Sequence, residues 1–207
     1  MNLDKIRDQL SYQGISLGIV ALAATAALVV ANANTRGPIE QAEARDLQAS
    51  LSQVLPVGTG DNDMLKDTVE IADGDAGKKT IYRARKGGAV SAAVFQTAAK
   101  GYAGDVVVLI GIDPKGVLLG ARVIKHQETP GLGDKIEAAK SKWIFDFNGK
   151  SLDDPKPEKW LVKKDGGVFD QFAGATITPR AVVKAVKAGL DFYAAHSKEI
   201  LEGEVPR

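Results

Sequence analysis

The sequence predicts an α+β domain, built on an antiparallel sheet and preceded by one transmembrane helix. Three observations lead to that fold class. A long uncharged segment lies near the N-terminus, several strand-like segments joined by turn residues occupy the middle, and a segment of helical periodicity lies near the C-terminus. The 207 residues leave room for one domain of ordinary size beside the membrane segment.

The first element is the uncharged segment from Gln9 to Thr35, within which residues 14–31 are almost wholly apolar. A helix needs about 20 apolar residues to cross a hydrocarbon core of roughly 30 Å, so this segment predicts a membrane anchor. A cleaved secretory signal is the alternative, because residues 31–33 (Ala-Asn-Ala) form an A-x-A cleavage motif. The apolar stretch is longer than the core of a usual signal peptide, which favours an uncleaved anchor.

The charges around this segment predict its orientation. Lys5 and Arg7 precede it, whereas Arg36 is followed closely by Glu40 and Glu43. Positive residues are enriched on the cytoplasmic side of a membrane. We therefore expect the N-terminus in the cytoplasm and the rest of the chain outside it, which is also where a cleaved signal would deliver it.

The middle of the chain predicts a helix, a loop and a series of strands. Apolar residues recur at helical spacing from Arg36 to about Leu55, and residues 58–77 are rich in loop-forming residues. The turn Asp113–Gly116 joins the two strands of the clearest hairpin. The predicted strands are Thr68–Ile71, Thr80–Arg85, Ala89–Ala98, 106–112, 117–126 and Lys159–Lys163, and a short helix is predicted at Lys135–Lys142.

The last predicted element is a helix from Arg180 to His196. Thr178 is a candidate N-cap for it, and Pro179 suits its first position. One face of this helix is apolar and predicts packing against the sheet. The residues of that face are Val182, Val183, Val186, Leu190 and Tyr193.

Composition excludes several classes of function. Lys and Arg number 27 against 26 Asp and Glu, a balance that argues against nucleic acid as a partner. The chain has no cysteine, so disulfides, iron–sulfur clusters and thiolate nucleophiles are excluded. Its two histidines, His126 and His196, are far apart in sequence, and we expect no metal site.

The segment before the last helix gives the strongest indication of function. Gly174 and Ala175 leave the backbone open to a bulky group, and Thr176 offers a hydroxyl beside a helix start. The unpaired N–H groups and the positive dipole end of a helix favour an anion there. A phosphate attached to Thr176, or resting against it, would be well placed. A tight turn before a capped helix is the structural alternative.

Three motifs make the sequence resemble a known family. Residues 170–176, DQFAGAT, resemble the flavin-attachment motif D-G-x-(S/T)-G-A-T, with Gln171 in place of Gly and Ala173 in place of Ser or Thr. Residues 126–134, HQETPGLGD, resemble the H-x-E-T-P-G-L-G loop of the G subunit of Rnf (Rsx) complexes, and residues 160–167, WLVKKDGG, add a third match. The C subunit of the sodium-translocating NADH:quinone reductase has a related loop.

The resemblance implies an electron carrier with a covalent FMN. In that family the last threonine of the motif forms a phosphoester with FMN, which a flavin transferase installs from FAD, and the resemblance implies the same attachment at Thr176 here. Lys163 and Lys164 are further candidates, to neutralise the flavin phosphate or an anionic reduced flavin, although solvated surface lysines are the commoner case. The remaining residues expected at the cofactor are Glu128, Thr129, Gly131, Leu132, Gly174, Ala175 and Thr178.

At the level of the molecule, the resemblance implies one subunit of a bacterial inner-membrane complex that couples electron exchange between ferredoxin and NAD to sodium or proton translocation. We expect other membrane subunits as partners and the globular domain on the periplasmic side. The expected divisions are a cytoplasmic N-terminus (1–12), a transmembrane anchor (13–34), a membrane-proximal helix and loop (35–79) and an FMN-binding domain (80–207). The alternatives are a C-type subunit of the quinone reductase and a flavin-free anchored structural subunit.

Overall fold

A computed structural model describes residues 10–74 and 77–203. The predicted anchor and the helix predicted after it form one continuous helix, α1 (Leu10–Gln53), with Pro38 inside it. The segment Gly14–Pro38 is long and apolar enough to cross a membrane. Lys5 and Arg7, on which the predicted orientation depends, lie outside the described residues.

The chain divides into two units, a helical unit up to Asp46 and a compact unit from Leu47 onwards. The compact unit therefore includes residues 47–79, which the sequence assigned to a separate membrane-proximal segment. Their inclusion has a physical cause, because Leu51 and Val54 are buried in a cluster with residues of the sheet.

Five antiparallel strands form a single sheet in which each strand pairs with its neighbour in sequence. The predicted α+β class is confirmed, and each of the first five predicted strands is found with small shifts at its ends. The strands are β1 (Thr68–Ala72), β2 (Lys78–Lys86), β3 (Ala89–Lys100), β4 (Asp105–Ile112) and β5 (Leu118–Lys125).

The C-terminal helix, α2 (Ile177–Glu202), packs across one face of the sheet and buries the predicted apolar stripe. Thr97 on β3 donates its hydroxyl to the carbonyl oxygen of Ala185 at 2.8 Å, which fixes the helix to the strand beneath it. A buried arginine holds the other end of the helix. Arg83 donates Nε to Asp67 Oδ1 at 2.8 Å and Nη1 to the carbonyl oxygen of Gly203 at 2.5 Å.

The end of α1 covers the opposite face of the sheet. Leu51 and Val54 pack there against Val94 and Leu109. Two glycines make this approach possible: a Cβ atom at Gly111 or at Gly120 would lie 2.7 Å from the carbonyl oxygen of Val54. The sheet is therefore covered on both faces, as the nearly continuous apolar sequence of β4 indicates.

Two predicted elements are wrong. The strand predicted at Lys159–Lys163 is absent, and short 3-10 helices at Pro157–Lys159 and Lys163–Asp165 flank the segment instead. Its backbone pairs locally, with Lys163 N–H donating to the Phe169 carbonyl at 2.7 Å, so it never joins the sheet. The helix predicted at Lys135–Lys142 is reduced to one 3-10 turn, Asp134–Ile136.

Candidate cofactor site

A cavity of about 470 Å³ lies where β3 ends, β5 ends and α2 begins. Its volume falls within the range of roughly 300–1,000 Å³ that is typical of small-molecule sites. Three separate segments of the chain form it: the β3–β4 turn, the loop after β5 and the start of α2. The lining residues are Tyr102, Glu128, Thr129, Leu132, Gly133, Gly174, Ala175, Thr176, Ile177 and Thr178.

The structure brings most of the expected cofactor residues together in this cavity. Gly131 lies in the same loop but does not line the cavity, and a Cβ atom there would meet nothing within 4 Å. Lys163 also lies outside the lining, with its Nζ 2.7 Å from Asp170 Oδ1. The sequence reasoning missed Tyr102, Ile177 and Gly133.

Thr176 occupies the N-cap position of α2 and is half-buried in the cavity wall. Its side chain makes no capping hydrogen bond, so the hydroxyl is not used to close the helix. The first backbone N–H groups of α2 are close by and have no partners within the helix, which favours an anion at this end. A phosphate ester on this hydroxyl would meet a positive potential.

The backbone before Thr176 turns sharply enough to present it. Gly174 has a φ of 80°, a conformation that side-chain-bearing residues rarely adopt. The N–H of Ala175 donates to the Phe172 carbonyl at 3.2 Å and closes the turn. The Gly-Ala pair of the motif is thus explained by local geometry.

Thr178 is not the helix cap that the sequence predicted. The helix begins one residue before it, at Ile177, and Pro179 falls in the first turn, where a missing N–H costs nothing. The side chain of Thr178 is 1% exposed, and its hydroxyl donates to Glu128 Oε2 in a short hydrogen bond.

Glu128 lies at the centre of the cavity wall with 4% of its surface exposed. Besides the bond from Thr178, its Oε1 accepts the backbone N–H groups of Tyr102 at 2.9 Å and Ala103 at 3.1 Å. One carboxylate therefore joins all three segments that form the cavity. A buried carboxylate requires such partners to offset its loss of hydration.

The loop after β5 is held by its own hydrogen bonds. The N–H groups of Leu132 and Gly133 donate to the Thr129 carbonyl at 3.2 and 3.0 Å. The backbone amide of Gly131 and the ammonium group of Lys140 hold the pKa of Asp134 below its ordinary value. The loop is therefore anchored at both ends, by Glu128 and by Asp134.

His126 and several large aromatic side chains have structural roles. His126 accepts the Glu128 N–H at Nδ1 (3.1 Å), and its Nε2 lies 3.0 Å from Glu137 Oε1. None of the aromatic residues Trp143, Phe145, Phe147 and Trp160 lines the cavity. Trp143, Phe147 and Trp160 belong to the core, whereas Phe145 lies beneath the Arg122 guanidinium, 4.3 Å from ring centre to Cζ.

Comparison with known proteins places the site in a family. A sequence profile of the FMN-binding domain matches residues 101–191, and a profile of the RnfG N-terminal region matches residues 1–54. The G subunit of the ion-translocating oxidoreductase complex of Cereibacter sphaeroides is 50% identical, over 91% of this chain and 86% of that protein. The chain belongs to the family of G subunits of ion-translocating oxidoreductase complexes. The G subunit of Stutzerimonas stutzeri is 48% identical over 92% of this chain and 84% of that protein.

Two solved structures are also similar. The C subunit of the Na(+)-translocating NADH-quinone reductase from Parabacteroides distasonis has a TM-score of 0.49 and 20% identity, covering 64% of this chain and 77% of that chain. NqrC of Shewanella oneidensis has a TM-score of 0.49 and 24% identity, covering 60% of this chain and 61% of that chain.

Family membership confirms the resemblance found in the sequence. The chain has an FMN-binding domain and an electron-carrier role in an ion-translocating oxidoreductase complex. The cavity fits the cofactor, since it combines a hydroxyl at a helix start with the exposed apolar side chains of Leu132 and Ile177. The isoalloxazine ring of FMN is suited to apolar surface, and the phosphate of FMN is suited to the N–H groups at a helix start.

Proposed function

We propose that this protein carries FMN as a phosphoester on Thr176 Oγ1 and passes electrons between neighbouring cofactors of its complex. One observation supports this most directly. Within the matched FMN-binding domain, the hydroxyl of Thr176 lines the cavity at the start of α2 and makes no capping hydrogen bond.

The proposed attachment transfers the FMN half of FAD to Thr176 and involves no oxidation or reduction. Thr176 Oγ1 forms a bond to the phosphorus of the FMN half of FAD, and the pyrophosphate P–O bond to the AMP half breaks. AMP leaves, and the hydroxyl proton passes to solvent. A flavin transferase would supply the active site, and Thr176 would supply the acceptor oxygen.

The residues of the cavity would hold the cofactor in distinct ways. The first-turn amides of α2 would face the phosphate, while Leu132, Ile177 and Tyr102 would offer apolar and aromatic surface to the ring. Bound FMN supplies the capacity to accept and release electrons. Lys163 stays a candidate for phosphate neutralisation, but its ion pair with Asp170 would first have to open.

We also propose the place of this protein in the cell. The apolar segment of α1 would anchor it in the bacterial inner membrane, with the compact unit on the periplasmic side. There it would serve a complex that couples electron exchange between ferredoxin and NAD to sodium or proton movement.

Fluorescence of the denatured polypeptide tests the covalent attachment. The full chain is co-expressed with a flavin transferase, denatured and separated on a gel under ultraviolet light. We expect a fluorescent band from the native sequence and from Thr176→Ser, which keeps a hydroxyl, and none from Thr176→Val. A fluorescent Thr176→Val band would contradict the proposal.

A further inference from the structure

We propose that Glu128 is a positioning residue for flavin attachment: by holding the hydroxyl of Thr178, it fixes the first turn of α2 and leaves Thr176 as the acceptor. This inference rests on the proposed function and specifies how the same site is built. It assigns Glu128 a different task from the direct flavin contact that the family resemblance implied.

The hydrogen-bond acceptor capacity of Glu128 is used by the protein itself. Its two carboxylate oxygens accept three hydrogen bonds, from Thr178 and from the N–H groups of Tyr102 and Ala103. Hydrogen bonds to a charged group are stronger than neutral ones, and leaving a buried acceptor unsatisfied is costly. The carboxylate therefore has its hydrogen-bond partners within the protein before any cofactor binds.

Two glycines leave space for this carboxylate. A Cβ atom at Gly101 would lie 2.5 Å from Glu128 Oε1. A Cβ atom at Gly133 would lie 2.8 Å from Thr178 Oγ1 and 2.9 Å from Glu128 Cβ. Both segments beside Glu128 thus approach it more closely than a side chain would permit.

The surroundings of two neighbouring threonines differ in a way that favours one of them as the flavin acceptor. Thr176 and Thr178 are two residues apart at the same helix start, and both line the cavity. The Thr178 side chain is almost fully buried, and its proton is donated to Glu128, whereas Thr176 is half-buried without a capping bond. An acceptor oxygen must be reachable by the flavin donor, and the greater exposure of Thr176 favours it over the buried Thr178.

Substitutions at Glu128 separate positioning from a direct effect of its charge. In Glu128→Gln, the amide oxygen can still accept the two N–H groups, and the amide nitrogen can donate to Thr178 Oγ1. Glu128→Ala removes all three bonds. Positioning therefore predicts that glutamine replaces glutamate adequately and alanine does not.

The Thr178 side chain provides a matched pair. Thr178→Val keeps the shape but cannot bond to the carboxylate, and Thr178→Ser keeps the hydroxyl. An unsatisfied buried acceptor shifts a local equilibrium by a factor of about 5–30. We expect covalent flavin per folded polypeptide to fall by about that factor in Glu128→Ala and Thr178→Val, and to stay near the native level in Glu128→Gln and Thr178→Ser.

The experiment uses the full chain, co-expressed with a flavin transferase and purified in detergent. Covalent flavin is measured by absorbance after denaturation and divided by the folded fraction from circular dichroism. Covalent flavin in Glu128→Gln shows whether the conservative substitution restores attachment. Native-level flavin in Glu128→Ala, or flavin in Glu128→Gln as low as in Glu128→Ala, would overturn the inference.

Two further outcomes distinguish this inference from the function on which it rests. Absence of covalent flavin from the native chain would overturn both. Flavin attached to Thr178 in the Thr176→Val variant would overturn the inference, because Glu128 would not be withholding that hydroxyl. Flavin on Thr176 in the native chain, with native levels in every Glu128 and Thr178 variant, would leave the proposed function standing and remove the role of Glu128.

Discussion

Thr176 and Thr178 show how much a single hydroxyl depends on its surroundings. The sequence presents them as near equivalents. Threonine is favoured at the N-cap and proline at the first helical position, and these two preferences predict Thr178 as the helix cap. The structure begins the helix earlier, because Thr178 finds a buried carboxylate fifty positions away in sequence. Local propensity could not reveal that partner, whereas the G-A-T motif predicts Thr176 as the attachment residue.

Asp134 gives a prediction of pH dependence at the same scale. The Gly131 amide and Lys140 lower its pKa in the folded state, so the folded protein binds this proton less readily than the unfolded chain. The resulting stability is present above the ordinary aspartate pKa of about 3.9 and is lost as the pH falls through the lower folded value.

We therefore expect Asp134→Asn to flatten the acid side of the stability profile. The native chain should lose thermal stability progressively below about pH 4, and the variant should lose less over the same interval. Thermal denaturation between pH 6 and the acid limit measures both. Parallel profiles for the two proteins would refute the assigned role of Asp134.

At the scale of the element, the loop after β5 depends on backbone conformation at Gly131. Its φ is 80°, and open space surrounds the Cβ position, so a side chain there would strain the backbone without meeting another atom. We expect Gly131→Ala to lower the free energy of unfolding by about 1–2 kcal/mol.

Gly116 in the β4–β5 turn is a matched control, with a φ of 84° and equally open surroundings. Gly116→Ala should cost a similar free energy of unfolding, measured by chemical denaturation. Covalent flavin should fall in the Gly131 variant alone, because the loop after β5 forms part of the cavity wall and the β4–β5 turn does not. Equal flavin content in the two variants would show that the loop conformation is irrelevant to the cofactor.

The close contact between the end of α1 and the sheet can be tested by substituting one glycine. Gly120 faces the backbone of Val54, so Gly120→Ala would force the two apart. Overpacking of this kind costs about 1–3 kcal/mol. We expect a lower denaturation midpoint with unchanged covalent flavin in the folded fraction, since the cavity lies elsewhere. A variant as stable as the native chain would disprove the close contact.

At the scale of the whole molecule, the sequence predicted elements better than the contacts between them. Turn residues and alternating or continuous apolar runs identify β1–β5, because those patterns are local. Tyr102 reaches the cavity only because β3 and β4 return to one end of the sheet. Arg83 pairs with Asp67, 16 positions away in sequence, and also with the carbonyl oxygen of Gly203, 120 positions away. No local pattern predicts these contacts.

The arrangement across the membrane is a prediction for the intact molecule. The uncharged segment of α1 and the charges that precede it in the sequence predict that the compact unit lies outside the cytoplasm. Protease added to cells with a permeabilised outer membrane should digest the compact unit while cytoplasmic markers survive. Protection of the compact unit would contradict this topology, and a mature N-terminus at Asn34 would show that the segment is a cleaved signal.

Peptide mapping by mass spectrometry tests directly whether FMN is attached covalently to Thr176. The full chain, matured with a flavin transferase, is digested, and the peptide containing residues 170–180 is fragmented to locate any added mass. We expect one adduct on Thr176, with the mass of FMN less water. An unmodified Thr176, with the flavin released on denaturation or found on another residue, would contradict it.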